Sequence, residues 1–182
     1  MSRHLQHDWF SDALPENVQL GERSWLYSTY AFRHYRSRRP IGVRAGHDTG
    51  LYNGTFFDLG SEGEVTIGNF CTIVGAIICT NDRVSIGDYT FIAHEVILAD
   101  TAFSVPPDSD SATSRCDSQL PADAPLGIRL GENVWVGTRA VLLGGANVGE
   151  GAIIGAGAVV DCEIPPFCVV AGNTARVVKK LV

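Results

Sequence analysis

From Leu130 to Val160 an aliphatic side chain returns at every sixth position, Leu130, Val136, Leu142, Val148, Ile154 and Val160. A small or branched one, Val134, Ala140, Ala146, Ala152 or Ala158, stands four places after each of the first five. This double register is neither the 3.6-residue period of a helix nor the simple alternation of a strand. Glycine follows most of these aliphatics (Gly131, Gly137, Gly149, Gly155), so the pattern describes a flat strand that turns a corner every six residues. Three such hexads make one triangular coil, and the reading is a parallel β-helix. Upstream, Ile67, Ile73, Cys79 and then Ile86, Ile92, Leu98 repeat the pattern with one extra residue between Cys79 and Ile86.

The same pattern divides the chain. Residues 1–40 lack the hexad, are rich in aromatics (Trp9, Trp25, Tyr27, Tyr30, Phe32, Tyr35) and read as an N-terminal cap. Residues 41–100 form the first coils, irregular at the start, where Val43, Leu51, Leu59 and Ile67 are more widely spaced between turn formers such as Asn53-Gly54. Residues 101–127, rich in Pro, Ser and Asp, must leave the prism as a long protruding loop. The C-terminal coils follow over 128–175 and a basic tail over 176–182, all within one domain. A prism of this kind presents flat faces, which side-by-side association about a three-fold axis covers, so a homotrimer is expected.

Composition narrows the class. A net charge of −6 over 182 residues argues against the broad basic surface that nucleic-acid binding needs. No apolar run approaches the roughly 20 residues of a membrane span, and MSRHLQHDWF is too polar for a signal peptide. The five cysteines are odd in number and form no C-x-x-C pair. Cys71 and Cys79 fall on inward repeat positions and read as reduced, structural thiols in a cytoplasmic protein.

The stretch from Leu130 to Lys180, with its N-V-W-V-G and I-P-P phrases, resembles the hexapeptide-repeat acyltransferases of the left-handed β-helix class, such as maltose and galactoside O-acetyltransferases and xenobiotic acetyltransferases. Ile67 to Ala99 carries a weaker form of the same likeness. The resemblance implies a left-handed parallel β-helix and acetylation of a small acceptor, such as a sugar or sugar nucleotide, from acetyl-CoA. It implies a donor groove at Trp135, Gly137, Thr138, Gly155 and Ala156, with Arg176 and Lys179 near the adenosine phosphates. Asp161-Cys162 replaces the family's Thr-Lys, and Thr174 replaces its usual Pro. For the Gly and Ala positions, tight corner packing explains the residue choice as well as a ligand does.

Acyl transfer needs a base to take the acceptor's proton, and histidine is suited to that near neutral pH. The family's histidine sits where the long loop leaves the coil, but this chain reads Asp100-Thr101-Ala102-Phe103 there. Of the five histidines only His94 lies in the regular coils. It stands half a turn from Phe103, so it would serve as a base from another corner, across a subunit interface. The other reading is a surface or subunit-contact histidine. His47, beside Asp48 in a turn, is a second candidate. Counting back one coil from Asp100 brings Asn81 and Asp82 beside it, a polar file for acceptor hydroxyls or a set of solvated turn residues. No metal is expected, since the three histidines of a zinc-dependent β-helix hydratase are missing. The rival reading is a non-catalytic β-helix binding or assembly protein.

Overall fold

The computed structural model describes residues 4–100 and 127–182, a left-handed parallel β-helix of about six turns. Phe103 and most of the expected protruding loop lie outside the described residues. The strands stack into three sheets of seven, eight and five members, the three faces of a prism. The first face runs from Val18–Leu20 through Val43–Ala45, Glu64–Ile67, Arg83–Ile86, Ile128–Leu130 and Asn147–Val148 to Glu163–Ile164. The second runs from Trp25–Leu26 through Gly50–Tyr52, Thr72–Val74, Phe91–Ile92, Trp135–Val136 and Ile153–Ile154 to Cys168–Ala171. The third holds Phe56–Leu59, Ile77–Thr80, Ile97–Ala99, Val141–Leu143 and Val159–Val160.

Register explains why the hexad folds this way. On the second face Leu26, Leu51, Ile73, Ile92, Val136, Ile154 and Val170 pair in sequence across parallel strands. All are inward and buried. Phe57, Ile78, Leu98, Leu142 and Val160 make the equivalent file on the third face. Each fully buried side chain contributes about 1.5–3 kcal/mol, so these continuous files dominate the stability.

The structure departs from the sequence reading in three places. The coil begins inside the expected cap: Val18–Leu20 and Trp25–Leu26 pair in parallel with Val43–Ala45 and Gly50–Leu51. Cys79 is not inward. Ile78 fills the third-face file at 0% exposure and Cys79 is half-buried on the outside, because the corner after Ile73 is one residue short. Finally, Arg176–Lys180 is no free tail but a strand antiparallel to Cys168–Ala171, extending the second face.

Candidate active site

The corner between the second and third faces gathers most of the candidate residues. Successive coils place Asn53-Gly54, Gly75, His94-Glu95, Thr138-Arg139 and Ala156-Gly157 along it. The coils are tied where Glu95 N donates to Gly75 O, Arg139 N to His94 O and Gly157 N to Thr138 O. This corner requires left-handed backbone, with φ of +84° at Gly54, +64° at Gly75 and +67° at Gly157. Glu95 and Arg139 adopt it with side chains, at +58° and +60°, and form an ion pair of 2.5 Å beside His94. The Arg139 guanidinium hydrogen-bonded to Glu95 holds its carboxyl below the usual carboxylate range.

His94 is exposed and lines an open recess of about 550 Å³ with Asn53, Gly54, Gly75, Glu95 and Arg139, whose third-face wall is Ile77 and Ile97. The recess sits where the short corner at Gly75 is drawn in between its longer neighbours. His94 therefore stands on a different corner from Asp100, where the chain departs toward Phe103, as half a turn of sequence requires. Its position relative to the expected donor residues was not legible in the sequence. It lies one coil from Thr138 and two from Ala156, roughly 4.8 Å per coil.

Those donor residues share one strip. Trp135 is outward on the second face, 55% exposed, with its ring 4.7 Å from that of Phe91. Thr138 and Ala156 are exposed on the corner that follows, while Gly137 and Gly155 are half-buried. Lys179 pairs with Val169 and Arg176 with Ala171, so both cations stand at the C-terminal end of the same face. A Cβ on Gly137 would fall 2.7 Å from Ala156 N, so coil packing alone accounts for that glycine. At Gly155 the nearest contact would be 3.0 Å.

Asn81, Asp82 and Asp100 do meet, at the corner between the third and first faces, but Asp100 is turned inward at 3% exposure. One of its carboxylate oxygens accepts from Thr80 Oγ1 at 2.7 Å, Asn81 N at 2.7 Å and Asp82 N at 3.1 Å. A buried carboxylate needs such donors, and this one holds its own corner together. These bonds give Asp100 a structural role at its corner. Asn81 and Asp82 remain exposed, with Asn81 Oδ1 accepting from Glu62 N at 3.2 Å. His47 lies on the remaining corner, its Nδ1 2.7 Å from Asp48 Oδ2. Arg23 and then His47 pull the Asp48 carboxyl down to about 2. Among the described residues no three His, Cys, Asp or Glu side chains converge as a metal site.

Residues 127–162 match the family model described as bacterial transferase hexapeptide (six repeats). The chain is 32% identical over 127 residues to galactoside O-acetyltransferase of Escherichia coli (strain K12), covering 69% of this chain and 58% of that protein. It is 28% identical over 158 residues to chloramphenicol acetyltransferase of Agrobacterium fabrum, covering 81% of this chain and 70% of the relative. A hexapeptide-repeat acetyltransferase of Vibrio cholerae, solved in complex with acetyl coenzyme A, has the same fold. Its TM-score is 0.62 at 21% identity, with 85% of this chain and 76% of that one covered. Repeat and fold together make this a hexapeptide-repeat protein with the left-handed β-helix of the acetyltransferases. The chain spans 58% of the galactoside enzyme and 70% of the chloramphenicol acetyltransferase that it resembles.

Proposed function

We propose that this protein is an acetyl-CoA-dependent acetyltransferase of a small hydroxyl or amino acceptor, such as a sugar, working as a cytoplasmic homotrimer with His94 as general base. One observation carries the reading: His94 stands at the N-terminal end of the strip formed by Trp135, Thr138, Ala156, Arg176 and Lys179. Three features suit the donor there. Thr138 and Ala156 keep the corner low, a Cβ on Gly157 would meet nothing within 4 Å, and the cations at Arg176 and Lys179 match a polyphosphate. Acetyl-CoA, when bound, supplies the activated thioester. The imidazole of His94 takes the proton of the acceptor's hydroxyl or amine as that group attacks, and returns it to the departing sulfur. The Glu95–Arg139 pair stiffens the corner from which His94 projects.

Titration calorimetry with acetyl-CoA, followed by thioester loss over sugars and amines, tests this. His94→Ala should lower kcat by about 10²–10⁴-fold, with acetyl-CoA affinity and trimer mass unchanged. Unchanged turnover would remove His94 as the base. A second reading, a non-catalytic binding protein, is favoured by Phe103 standing where the family has its histidine. Absence of acetyl-CoA binding by the assembled protein would select it.

A further inference from the structure

A second concavity lies at the N-terminal end of the same corner. It has a volume of about 270 Å³ and is walled by Trp9, Tyr27, Tyr30, Tyr52 and Phe56 over a floor of Leu26 and Leu51. Asn53 and Gly54 line both this pocket and the His94 recess, so the two are continuous along one corner.

The aromatic wall is built in. Trp9 belongs to a segment with no place in the coil, yet the preceding Asp8 fastens that segment to the turn at Thr29–Phe32. The Asp8 carboxylate accepts from Thr29 N at 2.6 Å, Ser28 Oγ and Thr29 Oγ1 at 2.7 Å, and Phe10 N at 2.9 Å. The Trp9 ring is thereby held 5.6 Å from Tyr30, which lies 6.0 Å from Phe56. Even so, Trp9 is 69% exposed and Tyr27, Tyr30 and Tyr52 are each above 40%. Fixed, clustered and exposed aromatic surface of this kind marks a binding site.

Pocket chemistry narrows the ligand. Among the described residues no charged side chain lines it; its available polar groups are the tyrosine phenols and the Asn53 amide, since the hydroxyls of Ser28 and Thr55 are bonded to Asp8 and to Ile73 O. Aromatic faces receive the flat apolar side of a ring, and those polar groups suit the ring's hydroxyls. The geometry points to this pocket as the acceptor subsite, taking an uncharged pyranoside whose free hydroxyl is carried past Asn53 toward His94. The described wall offers no cation to the phosphates of a nucleotide sugar, which favours the uncharged ring. The acceptor role rests on the acetyltransferase reading, whereas ring binding in the pocket does not.

The test uses p-nitrophenyl β-D-galactopyranoside and methyl β-D-galactopyranoside, with UDP-N-acetylglucosamine as the charged control. Tryptophan fluorescence is titrated without acetyl-CoA, and steady-state acetylation is then measured. Both galactosides should quench wild-type fluorescence, and Trp9→Ala or Tyr52→Ala should raise galactoside KM by about tenfold or more at little-changed kcat. Acetyl-CoA affinity should not move, and Trp9→Phe should restore most of the galactoside KM. A KM within twofold of wild type in both alanine variants, or preferential use of the nucleotide sugar, would overturn the inference. Failure of acetyl-CoA to bind would sink the acetyltransferase reading and the acceptor role with it. Failure of the galactosides to quench, with acetyl-CoA still binding, would sink the pocket alone.

Discussion

Asp100→Ala separates a corner-holding carboxylate from a substrate-gripping one. In the folded chain one oxygen takes three donors, Thr80 Oγ1, Asn81 N and Asp82 N, within 3.1 Å. Thr80 is fully buried, so its hydroxyl has no water to turn to, whereas the amides of Asn81 and Asp82 belong to exposed residues. A lost hydrogen bond to a buried charge costs about 1.5–3 kcal/mol, and the two amides that water can reach about 1 kcal/mol each. The variant should therefore lose about 3–5 kcal/mol, or roughly 6–20 °C in Tm for a chain of this size. Asp100→Asn keeps an oxygen without the charge and should lose about half as much. Urea unfolding followed by circular dichroism measures this, with protein concentration held constant because assembly shifts the midpoint. A loss below about 1 kcal/mol, accompanied by a raised acceptor KM, would refute the structural role and restore Asp100 to the substrate.

Three further outcomes follow from the geometry. Ile92→Ala empties a fully buried place between Ile73 and Val136 and should cost about 2–5 kcal/mol in the same denaturation assay. Gly137→Ala drives a Cβ to 2.7 Å from Ala156 N, so the coils must spread, and a melt should show a loss of about 1–3 kcal/mol even without ligand. Partial burial alone would raise the Asp8 carboxyl, but its bonds from Thr29, Phe10 and Ser28 prevail and lower it from 3.8 to about 2. Because the folded value is the lower one, this stabilisation is complete above pH 3.8 and disappears as pH falls through about 2. Discounted for solvent screening it is worth about 1 kcal/mol, and acid titration of Trp9 emission should show a step in that window that Asp8→Asn abolishes.

The hexad was legible where corners have constant length. Leu130 through Val160 defines both the period and the inward file, and the structure follows it residue for residue. Between Ile73 and Ile78 the corner loses a residue, and because Cys79 is itself apolar the six-residue count seemed to run on through it. Val18 and Leu26 escaped notice because single aliphatics separated by long turns carry no period; only their pairing with Val43 and Leu51 shows them as core. His94 was identifiable as the histidine of the regular hexads, but its alignment with Thr138 depends on the long segment between coils, whose length hides the register. Trp9 and Tyr52 come to line one pocket through the Asp8 anchor, a contact between residues 20 and 21 apart that no local pattern announces.

The missing residue at the Gly75 corner also says how such a scaffold acquires its sites. In a helix bundle, opening a recess means shrinking core side chains, with the loss of stability that brings. Here Ile73 and Ile78 stay in their files while the chain between them is shortened, so a concavity forms on the outside with the interior intact. Lengthening one corner and shortening the next would slide that concavity along the axis without touching a single packed aliphatic. Specificity in this architecture can therefore change by insertion and deletion, independently of the substitutions that govern folding.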